Sequence, residues 1–403
     1  MKKIKIFNDP IYGFIYQQSE LISRIIEHPY FQRLRRITQM GLSYLVYPGA
    51  HHTRFHHVLG CGYLMQKAIE TLRLKGIEIS KKEEESLYIA ILLHDIGHGP
   101  FSHALENSIV EGVTHEDISL MIMKELNNEF DGELEMAIQI FSNLYPRKFF
   151  YQLISGQLDM DRMDYLKRDS FYSGVAEGNI NADRLITMLN VKNDQLVLEE
   201  KGIYSVEKFI VARRLMYWQV YLHKTSLAAE RILIEILKRA KELHIKGVNI
   251  QAGKSLKYFL THKIDVENFN RKVLLKFTEL DDYDIISALK SWCDHDDFIL
   301  SYLSGSIINR KLPKVEMQRQ DFSEEYFQEK KDEVMRKYSL NKNDIDYLVF
   351  KGKVWNKAYS TTESGIGILM KNGEIADLVD ASDQLNIRAL TDPVTKYFMC
   401  YPK

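Results

Sequence analysis

One apolar run that ends in two ionisable residues constrains this chain more than any other stretch. Tyr88, Ile89, Ala90, Ile91, Leu92 and Leu93 are followed directly by His94-Asp95, and then by Ile96-Gly97-His98-Gly99-Pro100-Phe101-Ser102-His103. A run of this kind belongs inside a core, and it carries the His-Asp pair in with it. A buried His-Asp pair is costly unless something satisfies it. A divalent metal does so, because imidazole and carboxylate both suit borderline metals. Gly97, Gly99 and Pro100 mark where the helix stops. His94 and His98 are four apart and share a face if the helix survives Gly97. The plainer reading is a helix end that carries polar residues. The placement of histidine weighs against it, since eight of the 13 histidines lie between His51 and His115.

At 403 residues the chain is long enough for one large domain with an appendage, or for two to three domains. Its net charge of −1 gives no basic field that would advertise nucleic acid. No apolar run approaches the roughly 20 residues that span a bilayer. Cys61, Cys293 and Cys400 are far apart and form no CxxC, which argues against a disulfide scaffold or a thiolate zinc site. A cytoplasmic protein is the expectation.

Around the central run, residues 1–16 read as an extended segment with a turn at Asn8-Asp9-Pro10 and Gly13. Residues 17–40 read as helix, from Leu21, Ile22, Ile25 and Ile26 and then Phe31, Leu34 and Ile37, with an interruption at His28-Pro29. Arg33, Arg35, Arg36 and Gln39 ride on it, either as a solvated face or as a phosphate site. Thr53 is a plausible N-cap for a helix whose Arg54, His57 and Cys61 share a face. Ser80 caps the helix over residues 80–93 that delivers His94-Asp95, and Glu83, Glu84 and Glu85 favour its start.

Thr114 caps a further helix with His115 and Glu116 in its first turn. Histidine beside a carboxylate is a usual way to hold a general acid or base in one tautomer, although a polar helix start reads the same. Residues 117–154 read as helical with a loop near Tyr145-Pro146-Arg147. Residues 158–169 carry four aspartates and three bases. Asp161 and Tyr165 share a face there, with Arg162 beside them. This is either a salt-bridge-laced helix, or a fourth metal ligand with Arg162 and Tyr165 on phosphate oxygens. Residues 205–243 read as a long helical stretch on which Arg213, Tyr217 and Tyr221 share a face. An aromatic stripe is usually core, but the arginine on it suggests a nucleotide.

After about Ile308 the character changes. Residues 347–355, 365–370 and 396–401 read as strands, with Lys371-Asn372-Gly373 as a hairpin turn. The expected fold is mainly α: a helical bundle over residues 1–308 and a small C-terminal α+β region over 309–403.

Arg54 and His57, His94-Asp95 and Asp161 together spell a signature that resembles the HD-domain metal-dependent phosphohydrolases. The ordered set Asn8-Asp9-Pro10-Ile11-Tyr12-Gly13, Phe31-Gln32-Arg33-Leu34-Arg35, Pro48-Gly49-Ala50, Thr53-Arg54-Phe55-His56-His57, Leu93 to His103 and Thr114-His115-Glu116 is closer still to the dNTP triphosphohydrolases. It is similar to the HD domain of the animal SAM-and-HD-domain enzyme and its bacterial relatives over roughly residues 4–240.

The resemblance implies that His57, His94, Asp95 and Asp161 hold one divalent metal, with Mn, Fe, Ni, Zn and Mg all compatible. It implies that His98, His103, His115 and Glu116 surround the reacting phosphate, and that Arg54, Arg162, Tyr165 and Arg213 bind the triphosphate. Gln39, with Met40 beside it, falls where the family reads the sugar 3′-hydroxyl, and Tyr221 where it packs on the deoxyribose. Asp169 and Tyr217 fall in the same substrate-binding set. Tyr217 stands where the animal enzyme has His, and Arg162 where it has Lys. Lys5, Glu27, Gln32 and Arg35 resemble a regulatory nucleotide site, with Glu27 in place of an Asp that reads guanine. A homodimer or homotetramer, a nucleotide substrate and a nucleotide activator are the implied partners.

The chemistry also follows from the residues. Phosphate ester hydrolysis needs charge neutralisation, an in-line nucleophile and a protonated leaving group. Two His and two Asp give a neutral site for a divalent ion, and His115 with Glu116, together with His103, are the candidates for proton transfer. The expected reaction releases deoxynucleoside and tripolyphosphate. The alternatives are phosphohydrolysis of a nucleoside monophosphate, a cyclic dinucleotide or guanosine tetraphosphate, and a non-enzymatic nucleotide sensor.

Overall fold

Capping and burial explain the helices that matter most in the computed structural model, which describes residues 5–17, 19–102, 108, 110–361 and 365–403. Helix α1 spans Arg54–Leu74 and α2 spans Lys81–Leu93. At the start of α2, Ser80 Oγ accepts from the Glu83 amide at 3.2 Å and the Glu83 carboxylate accepts from the Ser80 amide at 2.7 Å. This reciprocal box satisfies two of the amides that a helix start leaves without partners. Every residue from Ser86 to Leu93 is buried, so α2 is held on all sides over its last two turns.

Helix α3 spans His115–Glu129 with Thr114 as its cap, and α4 spans Met160–Ser173 with Asp159 as its cap. Helix α4 ends at Gly174, whose φ of 74° supplies the left-handed closing turn. Helix α1 packs between α2 and α4. The first turn of α1, the C-terminal end of α2 and the first turn of α4 therefore meet at one point.

Two long helical expectations break. Residues 17–40 are not one helix: Glu20–Glu27 and Pro29–Gln32 are α-helical, Arg33–Arg36 is a 3-10 turn, and Ile37 is extended. His28 precedes Pro29, which disfavours a helical backbone at His28, and its ψ is 140°. Thr38 then bridges to Thr53, which turns Gln39 and Met40 towards the start of α1. Residues 205–243 likewise divide. Helix α5 (Ile203–Met216) runs into a π turn at Tyr217–Tyr221, and α6 (Lys224–Ile245) starts afresh with His223 as its cap. The 117–154 stretch resolves into α3 and two short helices, Glu135–Phe141 and Lys148–Ile154.

The sheets are small. Lys5–Asp9 and Gly13–Gln17 form an antiparallel hairpin with Lys5 opposite Gln17. Lys314–Gln318, Val394–Tyr401 and Phe350–Asn356 form a three-stranded sheet with Val394–Tyr401 central. Gly367–Leu369 pairs with Ile375–Asp377 across the expected hairpin, and on its other edge runs parallel to Gln195–Glu199. The mainly α class with a small C-terminal α+β region holds. Among the described residues no helix is long and apolar enough to cross a membrane.

Candidate active site

At the junction of α1, α2 and α4, His57, His94 and Asp161 face one another. His57 Nε2 lies 3.1 Å from Asp161 Oδ1, and His94 Nε2 lies 3.6 Å from the same oxygen. Asp95 closes the fourth side, with one carboxylate oxygen 3.6 Å from His57 Nε2 and the other 3.4 Å from His94 Nε2.

The other ring nitrogens are already engaged. His57 Nδ1 donates to Asp164 Oδ2 at 2.8 Å, and His94 Nδ1 donates to the Ile91 carbonyl at 2.7 Å. Both imidazoles thus direct the lone pair of Nε2 at the carboxylates. Electron-rich atoms brought together this way are satisfied by a shared cation. His94 Nε2 is buried without a hydrogen-bond partner, which fits a divalent ion held by this His2Asp2 set. Cys61 Sγ lies 3.6 Å from each His57 ring nitrogen. Burial pushes its thiol well up, so it packs as a neutral neighbour.

His57, His94 and Asp95 are fixed from behind. Asp164 accepts from Arg168 Nε at 2.8 Å and Nη2 at 3.0 Å, and Arg168 Nη1 reaches Asp9 at 2.8 Å. Asp9 also accepts from the amides of Ile11 and Tyr12, so the N-terminal hairpin turn is tied through Arg168 and Asp164 to His57. Gly60 is required here: a Cβ would come within 2.0 Å of Asp164 Oδ1. Asp95 accepts from Arg54 Nη1. Burial opposes ionisation of Asp95, but Arg54, then His98, His94 and His57, hold its carboxyl well below the usual range.

On the far side of Asp95 the expected acid-base residues gather. His98 Nδ1 is 3.3 Å from Asp95 Oδ1, and the rings of His98 and His115 lie 3.9 Å apart. His115 Nε2 is 3.2 Å from Glu116 Oε1 at the start of α3. Gly97 lets the two segments touch, since a Cβ would meet the His115 carbonyl at 2.1 Å. His103 lies outside the described residues.

A cavity of about 340 Å³ adjoins this centre. Its walls include Gln39, Met40, Arg54, Tyr165, Asp169, Tyr217 and Tyr221, together with Phe101, Ser102 and the α6 residues Ser226, Glu230 and Leu233. Tyr221 donates to Asp169 at 2.7 Å, and His52 Nε2 is 2.7 Å from the other Asp169 oxygen. Tyr165 and Tyr221 meet edge to face at 5.9 Å. The Tyr165 hydroxyl, Gln39 Oε1, and Nε and Nη1 of Arg213 are buried and lack hydrogen-bond partners.

Not every expected binding residue is free to bind. Arg162 spends Nε on the Gly156 carbonyl at 2.5 Å and on Asp159 at 3.1 Å. Arg54 divides its guanidinium between Asp95 and Ser102. Arg33 is buried and donates to the Leu280 carbonyl at 2.7 Å, which makes it a packing arginine rather than a phosphate ligand. Lys5 pairs with Glu27, and Arg35 donates to Gln32 at 2.9 Å while lying 3.5 Å above the Phe55 ring. The suggested regulatory residues thus form two adjoining pairs on the N-terminal segment.

The sequence reading missed Asp164, Arg168, Asp9 and His52. A signal existed for the first two: Asp164 and Arg168 are four apart on the helix that carries Asp161.

The HD domain family matches residues 54–169, and the HD associated region matches residues 180–259. A protein of Bacillus subtilis, YwfO, is 37% identical over 318 residues, covering 76% of this chain and 71% of its own length. The deoxynucleoside triphosphate triphosphohydrolase SAMHD1 of Homo sapiens is 29% identical over 308 residues, and the chain spans about half of it, 48%. The crystal structure of a phosphohydrolase from Bacteroides thetaiotaomicron superposes with a TM-score of 0.97 at 50% identity, covering 100% of both chains.

Proposed function

Because the chain belongs to the HD-domain family of phosphohydrolases, we propose that it hydrolyses deoxynucleoside triphosphates to deoxynucleoside and tripolyphosphate. The observation that carries this reading is the cavity beside the His2Asp2 centre. The Tyr165 hydroxyl and Gln39 Oε1 lack partners in its wall, which Tyr221 and Asp169 share, and Arg213, 5.9 Å from the ring of the wall residue Tyr217, has Nε and Nη1 buried without partners. Guanidinium nitrogens buried without partners are costly in the free protein, and the bidentate fork of arginine suits phosphate oxygens. A triphosphate satisfies Arg213 and Tyr165 together, with Arg54 and Arg162 adding positive charge close by.

In this reading the divalent ion held by His57, His94, Asp95 and Asp161 supplies charge neutralisation and water activation. His115, oriented by Glu116, and His98 against it handle the proton delivered to the departing sugar oxygen. His103 is proposed as a further proton-transfer group. Gln39, Met40, Asp169 and Tyr221 hold the deoxyribose, with Tyr217 near the phosphate tail. A homodimer or homotetramer with a regulatory nucleotide near Lys5, Glu27, Gln32 and Arg35 completes the proposal, and a cytoplasmic setting accompanies it.

The test incubates the purified protein and Mn2+ with all four dNTPs, with and without GTP, and resolves the products. Deoxynucleoside with tripolyphosphate is the expected outcome, and the His94→Ala, Asp95→Ala double variant abolishes it. Monophosphate with pyrophosphate moves the cleaved bond, and no turnover by metal-loaded protein sinks the dNTP reading.

A further inference from the structure

One buried carboxylate outside the centre holds two walls of the cavity at once. Asp282 opens the helix Asp282–Trp292 and is 5% exposed. Its Oδ1 accepts from the Phe101 amide at 2.8 Å. Its Oδ2 accepts from the Thr38 amide at 2.8 Å and the Thr38 hydroxyl at 2.7 Å. These partners are 181 and 244 residues away in sequence, and neither serves the helix that Asp282 starts. That helix is already capped by Asp281, which accepts from the Tyr283 amide at 3.0 Å.

Both partners lead directly to reacting groups. Phe101 and Ser102 have φ of 51° and 56°, a left-handed pair that two non-glycine residues adopt only when the surroundings impose it. The Phe101 amide bond to Asp282 is one such constraint. The turn presents Ser102 Oγ to Arg54 Nη2 at 2.6 Å, and Arg54 in turn donates to the proposed ligand Asp95. On the other side, Thr38 precedes the cavity residues Gln39 and Met40. The Gln39 amide donates to the His52 carbonyl at 3.0 Å, and the Arg54 amide to the Ile37 carbonyl at 2.9 Å.

We propose that Asp282 is a positioning residue: it imposes the Phe101–Ser102 turn and the Thr38–Met40 wall, and so fixes Arg54 against Asp95. It touches neither substrate nor the metal ligands and acts through Ser102 and Arg54. The kinetic part of its test rests on the dNTP reading; the exchange part does not.

The test uses Asp282→Asn, Ser102→Ala and the double variant in the full chain, loaded with Mn2+. Asparagine keeps one acceptor and the side-chain volume but cannot accept on both sides. Misplacing reacting groups by about an ångström costs up to on the order of 100-fold, so kcat/KM is expected to fall about 10- to 100-fold in Asp282→Asn. If Asp282 works through Ser102, the double variant is no worse than the worse single variant. A loss equal to the product of the two single losses overturns the route through Ser102, and no loss in Asp282→Asn overturns the proposal.

Hydrogen exchange of the same loaded proteins supplies a readout independent of turnover. Selective loss of protection at the Phe101 amide in Asp282→Asn is expected, and unchanged protection there counts against the clamp even if no dNTP is hydrolysed. Should Asp282→Asn fail to fold, Thr38→Val removes one of the three donors and leaves the helix cap intact. A several-fold loss in kcat/KM with faster exchange at Phe101 is then expected, and wild-type behaviour on both overturns the proposal.

Discussion

The two ends of the candidate site are built on opposite terms. At the His2Asp2 end three of the four proposed ligands are held from behind, His57 by Asp164, His94 through Nδ1 by the Ile91 carbonyl and Asp95 by Arg54, and His94 Nε2 is left facing the proposed metal. At the cavity end, half-buried Tyr165 and Gln39, and Arg213 beside Tyr217, each carry buried polar atoms without partners. The first arrangement fixes geometry before anything binds. The second stores an unmet hydrogen-bonding demand, which only a polar ligand relieves. Substitutions at the two ends should therefore fail differently.

The largest separation is expected from Asp164→Asn. The amide NH2 that replaces one oxygen meets a donor in either orientation, Arg168 Nη2 on one side or His57 Nδ1 and Arg168 Nε on the other, so the contact set that orients the His57 ring is broken. Outer partners of metal-binding histidines are typically worth about 10- to 100-fold in affinity. Mn2+ affinity measured by calorimetry should drop by that range, while Tyr165→Phe leaves it at the wild-type value. Equal effects of both changes on metal affinity would erase the distinction between the two ends.

Arg213→Ala probes the other end with a smaller effect. A hydrogen bond to a charged group contributes about 1.5–3 kcal/mol, roughly the 10-fold and upward range in kcat/KM by the usual conversion. The loss should appear in KM for a dNTP and leave Mn2+ affinity unchanged. Arg213→Lys should recover only part of it, because a single ammonium does not reproduce the fork. A full recovery by lysine would mean that charge alone matters at this position.

The same contrast explains what could be read from the sequence. The centre was legible because its residues sit at helix ends that announce themselves: Thr53, Ser80 and Thr114 cap, and the apolar run to Leu93 forces His94-Asp95 inside. The four aspartates of residues 158–169 read as one cluster, yet they divide four ways. Asp159 caps and holds Arg162, Asp161 faces the histidines, Asp164 supports His57, and Asp169 joins Tyr221 to His52. Sequence spacing gives the shared helix but not which neighbour each carboxylate meets. The π turn at Tyr217–Tyr221 left no trace either, since Tyr-Trp-Gln-Val-Tyr contains no glycine or proline to mark it. Asp282 was out of reach for a plainer reason, because its partners come from chain segments far away in sequence.

The smallest effect tests whether the Asp282 contacts belong to the stiff part of the molecule. Burial raises the Asp282 carboxyl to about 6, although the Thr38 and Phe101 donors pull the other way. An aspartate raised in the fold binds its proton more tightly there than in the unfolded chain, whose value stays near the ordinary 3.9. Its contribution to stability is thus greatest below pH 4 and is lost as pH rises through 6. Between pH 7 and pH 5 the wild type should gain on the order of 1 kcal/mol relative to Asp282→Asn, which has no proton to bind. Denaturant unfolding of both proteins at the two pH values isolates this difference, because the other carboxylates titrate in both. An unchanged gap between them would mean that Asp282 is ionised throughout, its three donors outweighing burial, and that the clamp is as strong at pH 5 as at pH 7.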